Sequence, residues 1–280
     1  MIRRVSTKEI IRNIKEMCIE ANHFLSSDME NMFFKASEKE ESPLGRQILE
    51  QLKENLSIAA NDRIPICQDT GMAVIFIKIG QDVHIDDGNL TEAVNEGVRQ
   101  GYTEGYLRKS VVDPIERVNT QDNTPAVIHY EITDGNQIDI TVAPKGFGSE
   151  NMSRVFMLKP ADGLEGVKEA VLTAVKDAGP NACPPMVIGV GIGGTFEKCA
   201  EMAKHALTRK LDEKPGDELI EKLEEELLNK INQLGIGPGG LGGTVTALAV
   251  NIETFPTHIA GLPVAVNICC HVNRHAHRII

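Results

Sequence analysis

Apolar residues at helical spacing alternate along this chain with short, continuous apolar runs closed by glycine. A chain patterned this way has to pack helices against a sheet. Ser6 and Glu9 read as a capping box, followed by Ile10, Ile11, Ile14, Met17, Cys18, Ala21 and Leu25 at helical spacing. A short helix after Ser27-Asp28 and another from Pro43 to Ala60 give a helical N-terminal part over about residues 6–60. Met72 to Ile79, closed by Gly80, reads as a buried strand, and Leu90 to Tyr102 as a helix. Ala126–Thr133 and Gln137–Ala143 alternate in period two around Asp134-Gly135-Asn136, the signal of an antiparallel hairpin. Further helices are expected over Leu164–Ala178, Thr195–Lys210 and Asp217–Leu234, and strands over Met186–Val190, Thr244–Ile252 and Leu262–Ile268. The expected fold class is α/β, a single helix-rich domain over residues 1–280 around a mixed parallel and antiparallel sheet. Aromatic residues make up only 4% and tryptophan is absent, so the core must rest on Ile, Val, Leu, Ala and Met.

The formal net charge of −11 argues against a nucleic-acid partner, although a local site can still hold its own arginines for an anion. No apolar run reaches the length of a membrane span, and Met1-Ile2-Arg3-Arg4 lacks a signal peptide's apolar stretch. The expected location is the cytoplasm, where thiols stay reduced.

Three of the six cysteines sit in turn-like segments: Cys67 in Ile66-Cys67-Gln68-Asp69-Thr70-Gly71, Cys183 in Ala182-Cys183-Pro184-Pro185, and Cys270 in Cys269-Cys270-His271. No Cys-x-x-Cys pair exists among them, which removes zinc ribbons and thioredoxin motifs. Three separated thiolates converging on one point suit an iron–sulfur cluster with one iron left open, and an open iron is a Lewis acid. Proline directly after a ligand cysteine recurs in such proteins, which singles out Cys183. Cys18 lies on an apolar helix face and Cys199 within a helix, so both read as core. Cys269 adjoins Cys270, and strand neighbours point to opposite faces, so only one of the two easily faces a shared site.

Polar company surrounds these cysteines. Asp69 follows Cys67 by two positions and is a turn-former or an acid/base group. Arg108-Lys109-Ser110 precedes a polar loop, Asn119 to Pro125, and arginine matches a carboxylate bidentately. Lys145 to Asn151, with Gly148 and Ser149, offers backbone and side-chain donors to an anion. Gly189-Val190-Gly191-Ile192-Gly193-Gly194 fits a dinucleotide fingerprint, but a charged helix follows where the fingerprint needs a second strand with an acidic end. Gly235 to Gly243 holds six glycines and a proline, a loop or packing crossover.

Taken in order, the Cys67 segment, Leu107 to Val112, Asn119 to Pro125, Lys145 to Asn151, the Cys183 segment, Gly235 to Gly243 and Cys270 to His275 resemble the class I, iron–sulfur-dependent fumarases. The resemblance is to the α subunit of the two-subunit form, whose framework L-tartrate dehydratase α subunits share. It implies a 4Fe–4S cluster on Cys67, Cys183 and Cys270, with one iron not ligated by cysteine. It further implies substrate contacts from Gln68, Asp69, Arg108 and His258, with Asp69 and His258 as acid/base candidates. Gly148 and Ser149 join them as substrate-binding candidates. The swivelling domain of single-chain members is expected to be a separate β subunit, giving a heterodimer or heterotetramer. The expected reaction is hydration of fumarate to (S)-malate, as in the tricarboxylic acid cycle. Alternatives are tartrate dehydration and, more remotely, a non-catalytic redox or sensor protein.

Overall fold

The computed structural model describes residues 2–280. It divides into two compact units, one of residues 2–26, 56–147 and 274–280, the other of 27–55 and 148–273.

In the first unit, β1 (Arg3–Ser6) leads directly into α1 (Thr7–His23). The α1 face carrying Ile10, Ile14, Met17, Cys18 and Ala21 is buried, as the spacing predicts. The Ser6 capping box is not formed: Ser6 makes no side-chain cap bond, being the last residue of a strand paired to β3 (Val83–Asp86). A four-stranded sheet holds β2 (Met72–Gly80), β4 (Val127–Thr133), β5 (Ile138–Lys145) and β10 (Ala276–Ile279) in the order β10-β5-β2-β4. Ala73, Ile75 and Ile77 from β2 share a core with α1 and with Val94, Val98 and Tyr102 of α4 (Leu90–Glu104).

The expected hairpin is therefore corrected. Both strands exist, but β2 lies between them, parallel to β4 and antiparallel to β5. β2 is the most completely apolar strand of this unit and is buried through its centre, so it takes the central position. Gly135 of the expected turn instead accepts the Asp82 N–H just past β2, and Gln137 beside it accepts the Gly80 N–H at the end of β2.

The second unit begins with α2 (Ser27–Lys39) and the first part of α3 (Pro43–Asp62). Its sheet runs β6-β9-β7-β8, from β6 (Arg154–Leu158), β7 (Met186–Gly193), β8 (Ala247–Phe255) and β9 (Leu262–Cys269). β7 pairs parallel with β8 and antiparallel with β9. Ile188 and Val190 of β7 join α6 (Gly163–Ala178) and α8 (Glu218–Asn232) in one core. The alternate residues Gly189 and Gly191 face α7 (Phe196–Ala206), where a Cβ would strike the backbone carbonyls of Ala203 and Cys199. These glycines of the fingerprint-like segment thus permit close helix–strand packing.

β8 starts three residues later than expected. The N–H groups of Thr244 and Val245 go to the Glu40 carboxylate, and those of Thr246 and Ala247 to Asn232 Oδ1. Short pieces without their own period-two pattern, β1, β3, β6, β10 and the single turn α5 (Phe147–Glu150), had no sequence signal. Among the described residues, no helix is long and apolar enough to cross a membrane.

Candidate active site

Within the first unit, four separate segments knot together around Cys67 to Gly71. Gly71 has φ of 77°, and a Cβ there would lie 2.6 Å from the Lys145 backbone nitrogen, so only glycine fits between the two strands. Asp69 accepts the Gly71 N–H at 3.0 Å on Oδ1 and the Phe147 N–H at 2.9 Å on Oδ2. It is both the turn-former of its own loop and the brace for the Lys145–Phe147 segment. Thr70 is buried; its hydroxyl donates to the Arg108 carbonyl at 3.1 Å, and its own carbonyl accepts the Tyr102 hydroxyl at 2.8 Å.

Asn123 is the centre of this knot. Fully buried at 0% exposure, it donates to Gly71 O at 3.1 Å and accepts from Ser110 N at 2.6 Å and Val111 N at 3.2 Å. The sequence marks its segment as polar but does not distinguish Asn123 from its neighbours; only burial does that. Asp122 beside it is held at about 2: burial opposes its charge, but hydrogen bonds from Arg99 and Thr124 outweigh that cost. Among the candidates here, Gln68 and Arg108 are exposed, and Cys67 is partly exposed with its Sγ 3.4 Å from Gln68 Oε1. The Arg108 guanidinium makes no ion pair among the described residues.

In the second unit, Cys183 and Cys270 meet at one end of the sheet. Cys183 caps a 3₁₀ turn (Gly179–Ala182) just before β7, in the left-handed region with φ of 51°. Cys270 directly follows β9, whose last residue Cys269 lies opposite Val187 of β7. His271 ties the two loops, with its N–H 3.4 Å and its Nδ1 3.0 Å from the Cys183 carbonyl. Cys269 is 4% exposed in the sheet, while Cys270, just past the strand end, is partly exposed and Cys183 exposed. Gly148 is exposed and Ser149 buried in the single-turn helix α5.

His258 does not join the cysteine end of its sheet. It lies in the loop between β8 and β9, pinned by Thr257 to the Gly194 carbonyl beyond the far end of β7. Eight residues of β7 separate that end from Cys183, roughly 25 Å at the usual strand rise.

A family model described as fumarate hydratase (Fumerase) matches residues 11–279 of the chain. The chain belongs to the fumarate hydratase family. It is 42% identical over 269 residues to a putative L(+)-tartrate dehydratase subunit alpha of Methanocaldococcus jannaschii, covering 94% of each chain. Likewise it is 30% identical over 270 residues to the L(+)-tartrate dehydratase subunit alpha of Escherichia coli K12, covering 95% of this chain and 88% of the relative. Members of the fumarate hydratase family are hydro-lyases, which places this chain among enzymes.

For a family member of this kind, the donor set can be weighed against an iron–sulfur cluster. Cys67, Cys183 and Cys270 stand in loops with accessible or partly accessible sulfurs. Cys18 is sealed in the core, its thiol pushed up to about 12 by burial, and burial also raises Cys199. Thiolates bind iron, so the three loop cysteines fit the role better than the three buried ones, Cys18, Cys199 and Cys269. Among the described residues, no three His, Cys, Asp or Glu side chains crowd together as ligands of a single metal ion. A cluster differs in taking each ligand on a separate iron.

Proposed function

We propose that this chain is the cluster-bearing α subunit of a two-subunit hydro-lyase that interconverts fumarate and (S)-malate. The observation that carries the reading is the knot around Cys67 to Gly71, which holds Asp69 by two backbone N–H groups next to the segment bearing the exposed, unpaired Arg108. Family membership and the relatives' designation as alpha subunits support a separate partner chain.

A 4Fe–4S cluster on Cys67, Cys183 and Cys270, when bound, supplies a Lewis acid at an iron that no cysteine ligates. The chain's own residues do the rest. Arg108 presents a planar fork to one substrate carboxylate, a match that a lysine point charge lacks. Gln68, exposed beside Cys67, offers an amide for orientation. Asp69 is immobilised, yet each of its oxygens keeps a second lone pair. It is therefore placed to receive and return the proton on the carbon next to the departing hydroxyl, a weak acid that needs a positioned base. Gly148 and Ser149 supply donors from the adjoining turn. His258, at the other end of the sheet, is left out of the site formed on its own chain. The β subunit adds further cationic clamps and closes over the substrate, fixing the reacting groups in register.

Dehydration of L-tartrate is a second reading, favoured by the names of the similar proteins. Both substrates are four-carbon dicarboxylates that lose water from adjacent carbons. The test is anaerobic reconstitution of the α chain with its partner, followed by assays on malate, fumarate, and L- and D-tartrate. Conversion of malate and fumarate with little action on tartrate is expected. Preferential release of oxaloacetate from L-tartrate establishes the second reading, and no turnover of any of the four contradicts both.

A further inference from the structure

Arg274, four positions after Cys270, is only 5% exposed. One of its nitrogens, Nη2, donates to the backbone carbonyl of Asp69. Its Nε and Nη1 are buried without any hydrogen-bond partner. A guanidinium carries five N–H donors, so most of this group's capacity is unspent. Among the described residues no carboxylate pairs with it. Burying an unpaired cation is destabilising unless an acceptor compensates it. The charge is felt locally: burial drives the Tyr102 phenol far up, and Arg274 opposes that shift. Tyr102 itself holds the Thr70 carbonyl, so both residues bear on the backbone of the Cys67 loop.

The missing acceptor therefore belongs inside, at the Cys67 loop. A substrate carboxylate arriving from solvent is poorly suited to so buried a group. A sulfur of an anionic cluster, anchored by the same loop, is well suited to it. We infer that Arg274 is a positioning residue that fixes the Asp69 backbone with one nitrogen and gives its remaining N–H donors to the cluster's sulfide or thiolate sulfur. The inference rests on the iron–sulfur reading above, and it assigns a task to a residue the reaction itself does not use.

The test compares the full-length chain with Arg274→Gln and Arg274→Lys, each measured empty and after anaerobic loading with iron and sulfide. Iron and acid-labile sulfide per chain, the rate of iron loss to a chelator, and the melting temperature of the empty chain are recorded. Loss of one charge-assisted hydrogen bond corresponds to about a tenfold change. The Gln variant is expected to lose iron about tenfold faster than wild type, with Lys in between. Meanwhile the empty Gln variant melts no lower than the empty wild type, because an uncompensated charge has been removed. Equal iron retention by wild type and the Gln variant overturns the inference, as it leaves ordered water as the acceptor. Faster iron loss that only parallels misfolding or a fall in melting temperature of the empty Gln variant also overturns it, since the residue then acts on folding and not on the cluster. A wild-type chain that takes up no iron or sulfide defeats the functional reading itself, and this inference with it.

Discussion

Glu40 is fully buried, yet its carboxyl is held below the usual carboxylate range. Burial alone would raise it; N–H groups of Thr244, Ser42 and Val245, with the Thr244 hydroxyl, outweigh that effect. A depressed folded-state value stabilises the native chain fully above the ordinary 4.5 and loses that contribution as pH falls through the lower folded value. Glu40→Gln should cost about 2–4 kcal/mol at neutral pH and flatten the acid limb of the stability curve, read by urea unfolding at neutral pH and near pH 4. Arg108→Lys keeps the charge but loses the fork, so it should raise KM for the dicarboxylate about tenfold while iron content stays at the wild-type level. Unchanged constants remove Arg108 from the site. Single serine replacements of Cys67, Cys183 or Cys270 should abolish cluster loading, while Cys18→Ala and Cys199→Ala retain it, as iron and sulfide analysis will report. The sequence singles out these cysteines because each interrupts a turn. It hides Asn123 and Glu40, whose importance is a matter of burial in loops that look merely polar or charged.

At the level of elements, the long helices and the central strands follow from periodicity alone, because their apolar faces are wide and continuous. Pairing does not follow. The strands flanking Asp134-Gly135-Asn136 carry every local mark of a hairpin, but β2 inserts between them because a long-range partner buries more apolar surface than a local turn secures. Local pattern has no access to that competition. The glycine-rich β7 fits a fingerprint spacing that the charged helix after it already disqualifies, and the structure uses Gly189 and Gly191 to admit α7. Gly191→Ala should destabilise the chain by about 1–3 kcal/mol, since the new methyl meets helix backbone that cannot rotate away. Equilibrium unfolding measures this; a neutral effect shows that α7 is free to shift.

At the scale of the whole molecule, the proposed function makes this chain one half of an enzyme. The knot around Asp69, the paired loops of Cys183 and Cys270, and the membership of the fumarate hydratase family all fit a chain that holds the cluster and one carboxylate clamp. A hydro-lyase must also exclude bulk water and fix both ends of its substrate, and an open half-site does neither. The most direct test is a titration of the β subunit into the anaerobically reconstituted α chain, with fumarate formation from malate followed at each addition. The account predicts negligible turnover from the loaded α chain alone, and activity that rises linearly and saturates near equal stoichiometry. Full turnover by the α chain without its partner contradicts it.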